Sequence, residues 1–281
     1  MLRVSLPTDP AGRATTTASA TPAARGPTND SAHPGAANAA RFIPHVFTRI
    51  AGGVEQVQIW SVALDRPDAV VEQLLALLSD AERVRASTQH TAASRRRFVV
   101  ARAALRLILA DATGIPVHSI AFCYGPDGKP SLEPSDTIAP LHFNVSHSRE
   151  LALVAISDNR TIGIDLEWTE GTSPFESVAA RYFSVAERRS LEGAAEGERR
   201  RLFYRIWVRK EAYLKARGDG ISQWIYETDF SSTEANLDAT LGVNTRASSM
   251  NARDQDRWVI SDIAALPTGF VGSVAVARSG T

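Results

Sequence analysis

Ser184-Val185-Ala186-Glu187-Arg188, followed by the run from Glu198 to Arg217 and then Gly218, is the stretch that decides how this chain is built. Serine three residues ahead of glutamate is a capping box: the hydroxyl takes a backbone N–H of the first helical turn, and the carboxylate reaches back to the N–H of the cap. The run after it keeps a helical apolar period up to Gly218, a residue suited to the left-handed turn that closes a helix. The same pattern stands earlier in the chain. Ser79-Asp80-Ala81-Glu82-Arg83 matches Ser184 to Arg188 at an offset of 105, and a helix predicted from Ser94 to about Ala112, closed by Gly114 and Pro116, matches the later one at an offset of 104. At that offset Arg95-Arg96-Arg97 falls on Arg199-Arg200-Arg201, Arg106 on Lys210 and Gly114 on Gly218. Capped helices ending in glycine are common, so coincidence stays open beside duplication; the shared order predicts a repeated α+β unit with any ligand in the cleft between copies.

Strand patterns at Val54–Leu64, Ser119–Tyr124, Leu141–Val145, Leu151–Ile156 and Thr161–Trp168 surround the first long helix, with helical spacing at Val70, Val71, Leu74, Leu75 and Leu78. Strands at Trp224–Phe230, Trp258–Ile263 and Phe270–Ala277 follow the second. The expected organisation is an α+β fold with a tail at 1–40, an N-terminal half at 41–158 and a C-terminal half at 159–281, each half a small sheet on a long helix. Residues 1–40 hold no aromatic residue and no isoleucine, so they bury too little to offset ordering entropy and are expected to be disordered. Arg3, Arg13 and Arg25 with few acids faintly resemble an organelle transit peptide.

The 281 residues are 44% hydrophobic and 22% charged, enough for a sizeable core. Thirty-one basic residues balance thirty-one acidic ones, so no global field draws nucleic acid or a membrane surface, and neither is expected as a partner. No stretch approaches the ~20 apolar residues that span a bilayer. The single cysteine, Cys123, excludes an intramolecular disulfide and a thiolate metal site and is expected as small core filler in a cytoplasmic protein.

Asp165 and Glu167 lie two apart in the strand pattern Ile162-Gly163-Ile164-Asp165-Leu166-Glu167, so both leave one face. Either that face is solvated or the pair shares a cation, and oxygen ligands without His or Cys suit Mg²⁺. In the second long helix Lys210 falls inside the apolar stripe of Leu202, Phe203, Ile206, Trp207, Tyr213 and Leu214, with Glu211 on its margin. It either snorkels or meets an anion in the cleft; Glu211 and Lys215 are either a surface pair or part of the same site. His142-Phe143-Asn144-Val145-Ser146-His147-Ser148 offers a His and hydroxyls at a strand end but no G-x-S-x-G elbow, so a hydrolytic triad is not expected. Lys129 stands in a turn.

Taken in order, Gly128-Lys129-Pro130, Phe143 to Ser148, Ile162 to Glu167, Phe183 to Glu187 and Trp207 to Lys215 closely resemble the successive motifs of the 4'-phosphopantetheinyl transferases. The chain is similar to the long, surfactin-synthetase-activator (Sfp) branch, over about Phe47 to Val276. Val208 departs from the Ser or Thr common after the tryptophan. The resemblance implies two pseudo-twofold related α/β halves in a monomer, with coenzyme A and Mg²⁺ in the cleft. It implies transfer of the 4'-phosphopantetheine arm to a serine of an apo acyl-carrier or peptidyl-carrier protein, in fatty-acid, polyketide or nonribosomal-peptide synthesis, releasing 3',5'-ADP. Asp165, Glu167 and Glu211 then hold the metal, with Glu211 also the base, and Arg102, Lys129, Ser146, His147, Lys210 and Lys215 contact coenzyme A. Glu187 matches a family acid near the metal, beside its reading as a cap. A Mg²⁺-dependent phosphohydrolase and a non-catalytic coenzyme A or carrier-binding module are the alternatives.

Overall fold

The computed structural model describes residues 47–50, 54, 57–125, 128–134, 140–170, 175–218, 228–230 and 257–278. The expected tail and most of the strand expected at Trp224–Phe230 lie outside the described residues. Chain order is β1 (Phe47–Ile50), β2 (Val57–Ala63), α1 (Asp68–Leu75), α2 (Asp80–Ser87), α3 (Ala92–Thr113), β3 (Phe122–Tyr124), β4 (Pro130–Leu132), β5 (Leu141–Ser148), β6 (Leu151–Asp158), β7 (Ile162–Trp168), α4 (Phe175–Tyr182), α5 (Val185–Gly193), α6 (Glu196–Arg217), β8 (Trp258–Asp262) and β9 (Phe270–Ala277).

Local chemistry sets the helix ends. Ser79 with Glu82 and Ser184 with Glu187 each make both hydrogen bonds of the capping box. α3 starts two residues ahead of the expected Ser94 because Thr91 and Ser94 form a box of their own. Gly114 at φ 72° and Gly218 at φ 78° close the long helices in the left-handed conformation, their N–H groups donating to Ala110 and Leu214. The strand expected at Ser119–Tyr124 is shorter, and a 3-10 turn at Val117–Ser119 precedes it. Arg106 draws the chain into that turn, with Nη1 donating to the carbonyls of Val117 at 2.9 Å and Ile120 at 3.0 Å. Cys123 is not core filler: it is only half-buried, facing Ser131 in the separate β3–β4 hairpin.

Two antiparallel sheets have the orders β1-β2-β6-β5 and β7-β9-β8. Side-chain alternation stacks them between the long helices. Trp60, Val62, Val154 and Ile156 pack with Val100, Ala104 and Leu107 of α3. The opposite faces, Ile59, Leu153 and Ala155, meet Ile162, Ile164, Leu166, Val274 and Val276 in a layer between the sheets. Beyond it, Ala275 and Ile260 join Phe203, Ile206 and Tyr213 of α6. The layers therefore run α3, sheet, sheet, α6. β2 and β7 are both seven residues long and stand 105 apart, and β2-β6-β5 repeats the order of β7-β9-β8.

Candidate active site

Because Ile162, Ile164 and Leu166 take the layer between the sheets, Gly163, Asp165 and Glu167 face α6. Gly163 lets the helix lie against the strand. A Cβ there would stand 2.1 Å from the Ala212 carbonyl oxygen and 2.3 Å from the Ala216 nitrogen. Glu211 and Lys215, each one residue ahead of those alanines, are thereby carried to Asp165.

Asp165 is 4% exposed. Its Oδ1 accepts from Lys215 Nζ at 2.6 Å and from the Ser146 hydroxyl at 2.8 Å, while its buried Oδ2 has no hydrogen-bond partner among the described residues. Lys215 Nζ also donates to Ser146 Oγ at 3.3 Å, and the Ser148 hydroxyl donates to Glu167 Oε2 at 3.1 Å. Burial, and then the charge of Asp165, push Glu167 up to about 8 and Glu211 up to about 7. Burial works against a charged Lys215, but Asp165, Glu211 and Glu167 together hold it above the ordinary lysine value. Three carboxylates thus share one ammonium. Among the described residues no three Asp, Glu, His or Cys side chains are gathered closely enough to cage a metal as they stand. The hard-oxygen donor set, its excess negative charge and the orphaned Oδ2 nevertheless fit a divalent cation such as Mg²⁺.

Lys129, in the β3–β4 hairpin, approaches the backbone of β7 and α6. Its Nζ donates to the carbonyls of Ile162, at 3.2 Å, and Lys215; burial beside these neutral acceptors pulls it down to about 8. It lines an open pocket of about 250 Å³ with Gly125, Pro130, His142 and the helix-closing Gly218. His142, depressed by burial and by Lys129, had been given no role from sequence. Nor had Ser148. The available signal was β5's alternation, which puts His142, Asn144, Ser146 and Ser148 on one face. His147 falls on the other face and is exposed, away from the carboxylates.

Two expected coenzyme A contacts are placed elsewhere. Lys210 is 0% exposed, paired with Glu187 at 3.0 Å, donating to the Thr228 carbonyl at 2.7 Å and lying between the Phe183 and Phe230 rings. α6 is covered on several sides, so the apolar stripe around Lys210 faces core instead of the expected cleft. Glu187 is accordingly a cap and a core ion-pair partner, also accepting the Phe230 N–H at 2.9 Å. Arg102 lies 3.5 Å from Glu82, donates to the Tyr124 hydroxyl and stacks over Phe122, apart from Asp165.

Residues 66–159 match the family described as 4'-phosphopantetheinyl transferase, N-terminal, and residues 161–266 match the 4'-phosphopantetheinyl transferase superfamily. The 4'-phosphopantetheinyl transferase HetI of Nostoc sp. is 40% identical over 169 residues, covering 60% of this chain and 71% of HetI. The 4'-phosphopantetheinyl transferase of Bacillus subtilis is 29% identical over 169 residues, 59% of this chain and 72% of its own. AcpT of Salmonella typhimurium, another 4'-phosphopantetheinyl transferase, is 33% identical over 121 residues, 43% of this chain and 58% of its own. With both stretches matched and a relative this similar over most of its length, the chain belongs, as an enzyme, to the 4'-phosphopantetheinyl transferase superfamily.

Proposed function

We propose that this enzyme moves the 4'-phosphopantetheine arm of coenzyme A onto a serine of an apo acyl-carrier or peptidyl-carrier protein, releasing 3',5'-ADP, with Mg²⁺ held by Asp165, Glu167 and Glu211. The observation that carries this reading is the carboxylate trio around buried Asp165, whose Oδ2 is unpartnered among the described residues and whose Oδ1 pairs with Lys215. When bound, the metal supplies charge stabilisation to the phosphoryl oxygens. Glu211, held near 7 by burial and by Asp165, is matched to accept the proton of the serine hydroxyl at neutral pH. Lys215 and Lys129 offer charge-assisted hydrogen bonds to phosphate oxygens, and Ser146 orients Asp165 and Lys215 together. His147, exposed near the end of β5, can meet a ligand only there. Lys210 is left out of this set because buried Glu187 pairs with it, and Arg102 because it packs against Glu82, Tyr124 and Phe122.

The repeated strand order and paired capping boxes support a duplication into halves at 41–158 and 159–281 related by a pseudo-twofold, within a monomer of the long branch. Lys129 and Ser146 then come from the first half and the carboxylates from the second. The balanced charge supports a cytoplasmic enzyme serving protein carriers over one drawn to nucleic acid or membrane; no helix among the described residues is long and apolar enough to cross a membrane.

Incubation with coenzyme A, Mg²⁺ and apo carriers from fatty-acid, polyketide and nonribosomal-peptide systems, read by intact mass, tests the reading. One added phosphopantetheine per carrier, lost on chelation, is the expected result. Coenzyme A cleavage without a carrier would point to a phosphohydrolase instead, and no change on any carrier would overturn the proposal.

A further inference from the structure

β5 and β7 belong to different sheets, yet they are joined side by side through side chains in place of a backbone ladder. Asn144 Oδ1 accepts the Ile164 N–H at 2.9 Å, and the Ser146 hydroxyl donates to Asp165 at 2.8 Å. Two residues further on, Ser148 does two things at once: its hydroxyl donates to Glu167 Oε2 and its oxygen accepts the Trp168 N–H, both at 3.1 Å. A hydroxyl can fill both parts because it is donor and acceptor together.

The next residue grips the same end of β7. Arg149 opens the β5–β6 hairpin at φ 51°, a left-handed conformation uncommon outside glycine. Its guanidinium lies 5.2 Å from the centre of the Trp168 ring. Phe270 meets that ring edge-on at 4.8 Å, and Gly269 packs so closely against it that a Cβ would stand 2.5 Å from a ring carbon. The backbone at Glu167–Trp168 is therefore held, and Ser148 is the contact that carries this rigidity into the Glu167 carboxylate.

We propose that Ser148 is a positioning residue, fixing one oxygen of Glu167 so that the carboxylate is already ordered when a divalent cation arrives. Glutamate has three rotatable bonds, and ordering them ahead of binding removes an entropy cost from the binding step; hydrogen-bond partners of metal ligands commonly govern affinity in this way. The inference rests on Glu167 being a metal ligand.

The test titrates the full-length protein, without coenzyme A, with Mn²⁺ followed by electron paramagnetic resonance, and then measures the Mg²⁺ dependence of carrier modification. Ser148→Ala is expected to weaken Mn²⁺ binding about tenfold and to raise the half-saturating Mg²⁺ by a similar factor. Its kcat at saturating Mg²⁺ should return to within about twofold of wild type, since Ser148 touches no reacting atom. Ser148→Thr should keep the affinity, while Ser148→Val, equal in shape, should lose it as the alanine variant does. That pair separates the hydroxyl from folding even if the alanine variant is poorly stable. Mn²⁺ binding unchanged in both Ser148→Ala and Ser148→Val overturns the positioning role and leaves the metal assignment standing. Wild-type protein that binds no Mn²⁺ overturns both.

Discussion

The unit built on α3 and the unit built on α6 share a scaffold. In the first, Glu82 caps α2 and takes Arg106 at 2.7 Å, and Arg106 holds the carbonyls of Val117 and Ile120. In the second, Glu187 caps α5 and takes Lys210 at 3.0 Å, and Lys210 holds the carbonyl of Thr228. Each long helix thus uses one buried cation to join the preceding cap to the segment that follows. The faces between helix and sheet differ. Gln58, Trp60 and Val62 in β2 correspond to Gly163, Asp165 and Glu167 in β7, and Leu107 and Asp111 in α3 correspond to Glu211 and Lys215 in α6. The first unit shows what this interface buries when packing alone is served: Trp60, Val62 and Leu107 belong to its core. The second puts carboxylates at the matching places, where burial first and the charge of Asp165 second push Glu167 and Glu211 upward.

The largest effect should come from exchanging those roles. Asp165→Asn keeps the shape but removes a charge from the proposed metal site, and transfer should fall by about three orders of magnitude, roughly 4 kcal/mol of barrier. Stability should change by less than about 1 kcal/mol, because loss of the Lys215 pair is offset by relief of repulsion from Glu167 and Glu211. Trp60→Ala should do the reverse, costing about 3 to 5 kcal/mol in urea unfolding while the folded fraction stays active. Equal stability losses in the two variants would make Asp165 a packing residue and end the contrast.

Next in size is the shared ion pair. Lys210→Met strands the buried Glu187 charge and should cost about 3 to 5 kcal/mol; Arg106→Met should cost less, because Arg102 remains 3.5 Å from Glu82. Coenzyme A affinity of the folded fraction should hold in both. A tenfold weaker affinity in Lys210→Met at unchanged stability would restore Lys210 to the phosphate site.

That residue marks where the sequence stopped being legible. Caps and closing glycines are local chemistry, so Ser79, Ser184, Gly114 and Gly218 could be read directly. The shared face of Asp165 and Glu167 follows from strand period alone. A helical projection, by contrast, shows that Lys210 lies in an apolar stripe but not what covers the stripe. The clue was in the offset that puts Lys210 on Arg106, since a repeated scaffold cation argues for a structural role. Ser148 was illegible for another reason: its contact with Glu167 crosses between sheets, and nothing local to either strand encodes which strands meet.

A smaller effect should follow from filling the close approach of β7 and α6. Gly163→Ala puts a methyl group into the backbone of Ala212 and Ala216, so α6 must retreat, at about 2 to 3 kcal/mol. Glu211 and Lys215 should withdraw with it, and transfer should drop. Gln58→Ala, at the matching place in β2, should stay within about 0.5 kcal/mol. A harmless Gly163→Ala would mean that α6 is not pinned at this contact.

The smallest effect concerns Lys129, which links the two units by donating to the carbonyls of Ile162 and Lys215. Both acceptors are neutral, so burial draws its pKa from 10.5 down to about 8. Between those values the unfolded chain holds a proton that the folded chain has released, and stability must rise with pH across that window. Below about 8 both states are charged, and the link stands at its least favourable. Other groups titrate nearby, so the quantity to follow is the difference between wild type and Lys129→Met, by urea unfolding at several pH values from 7 to 10.5. That difference should move in favour of wild type by about 1 kcal/mol as pH rises, after discounting for partial solvent access. Movement in the opposite direction would mean that Lys129 gains a carboxylate partner in solution. It would then belong electrostatically to the Asp165 cluster, and the two units would be joined through the site itself.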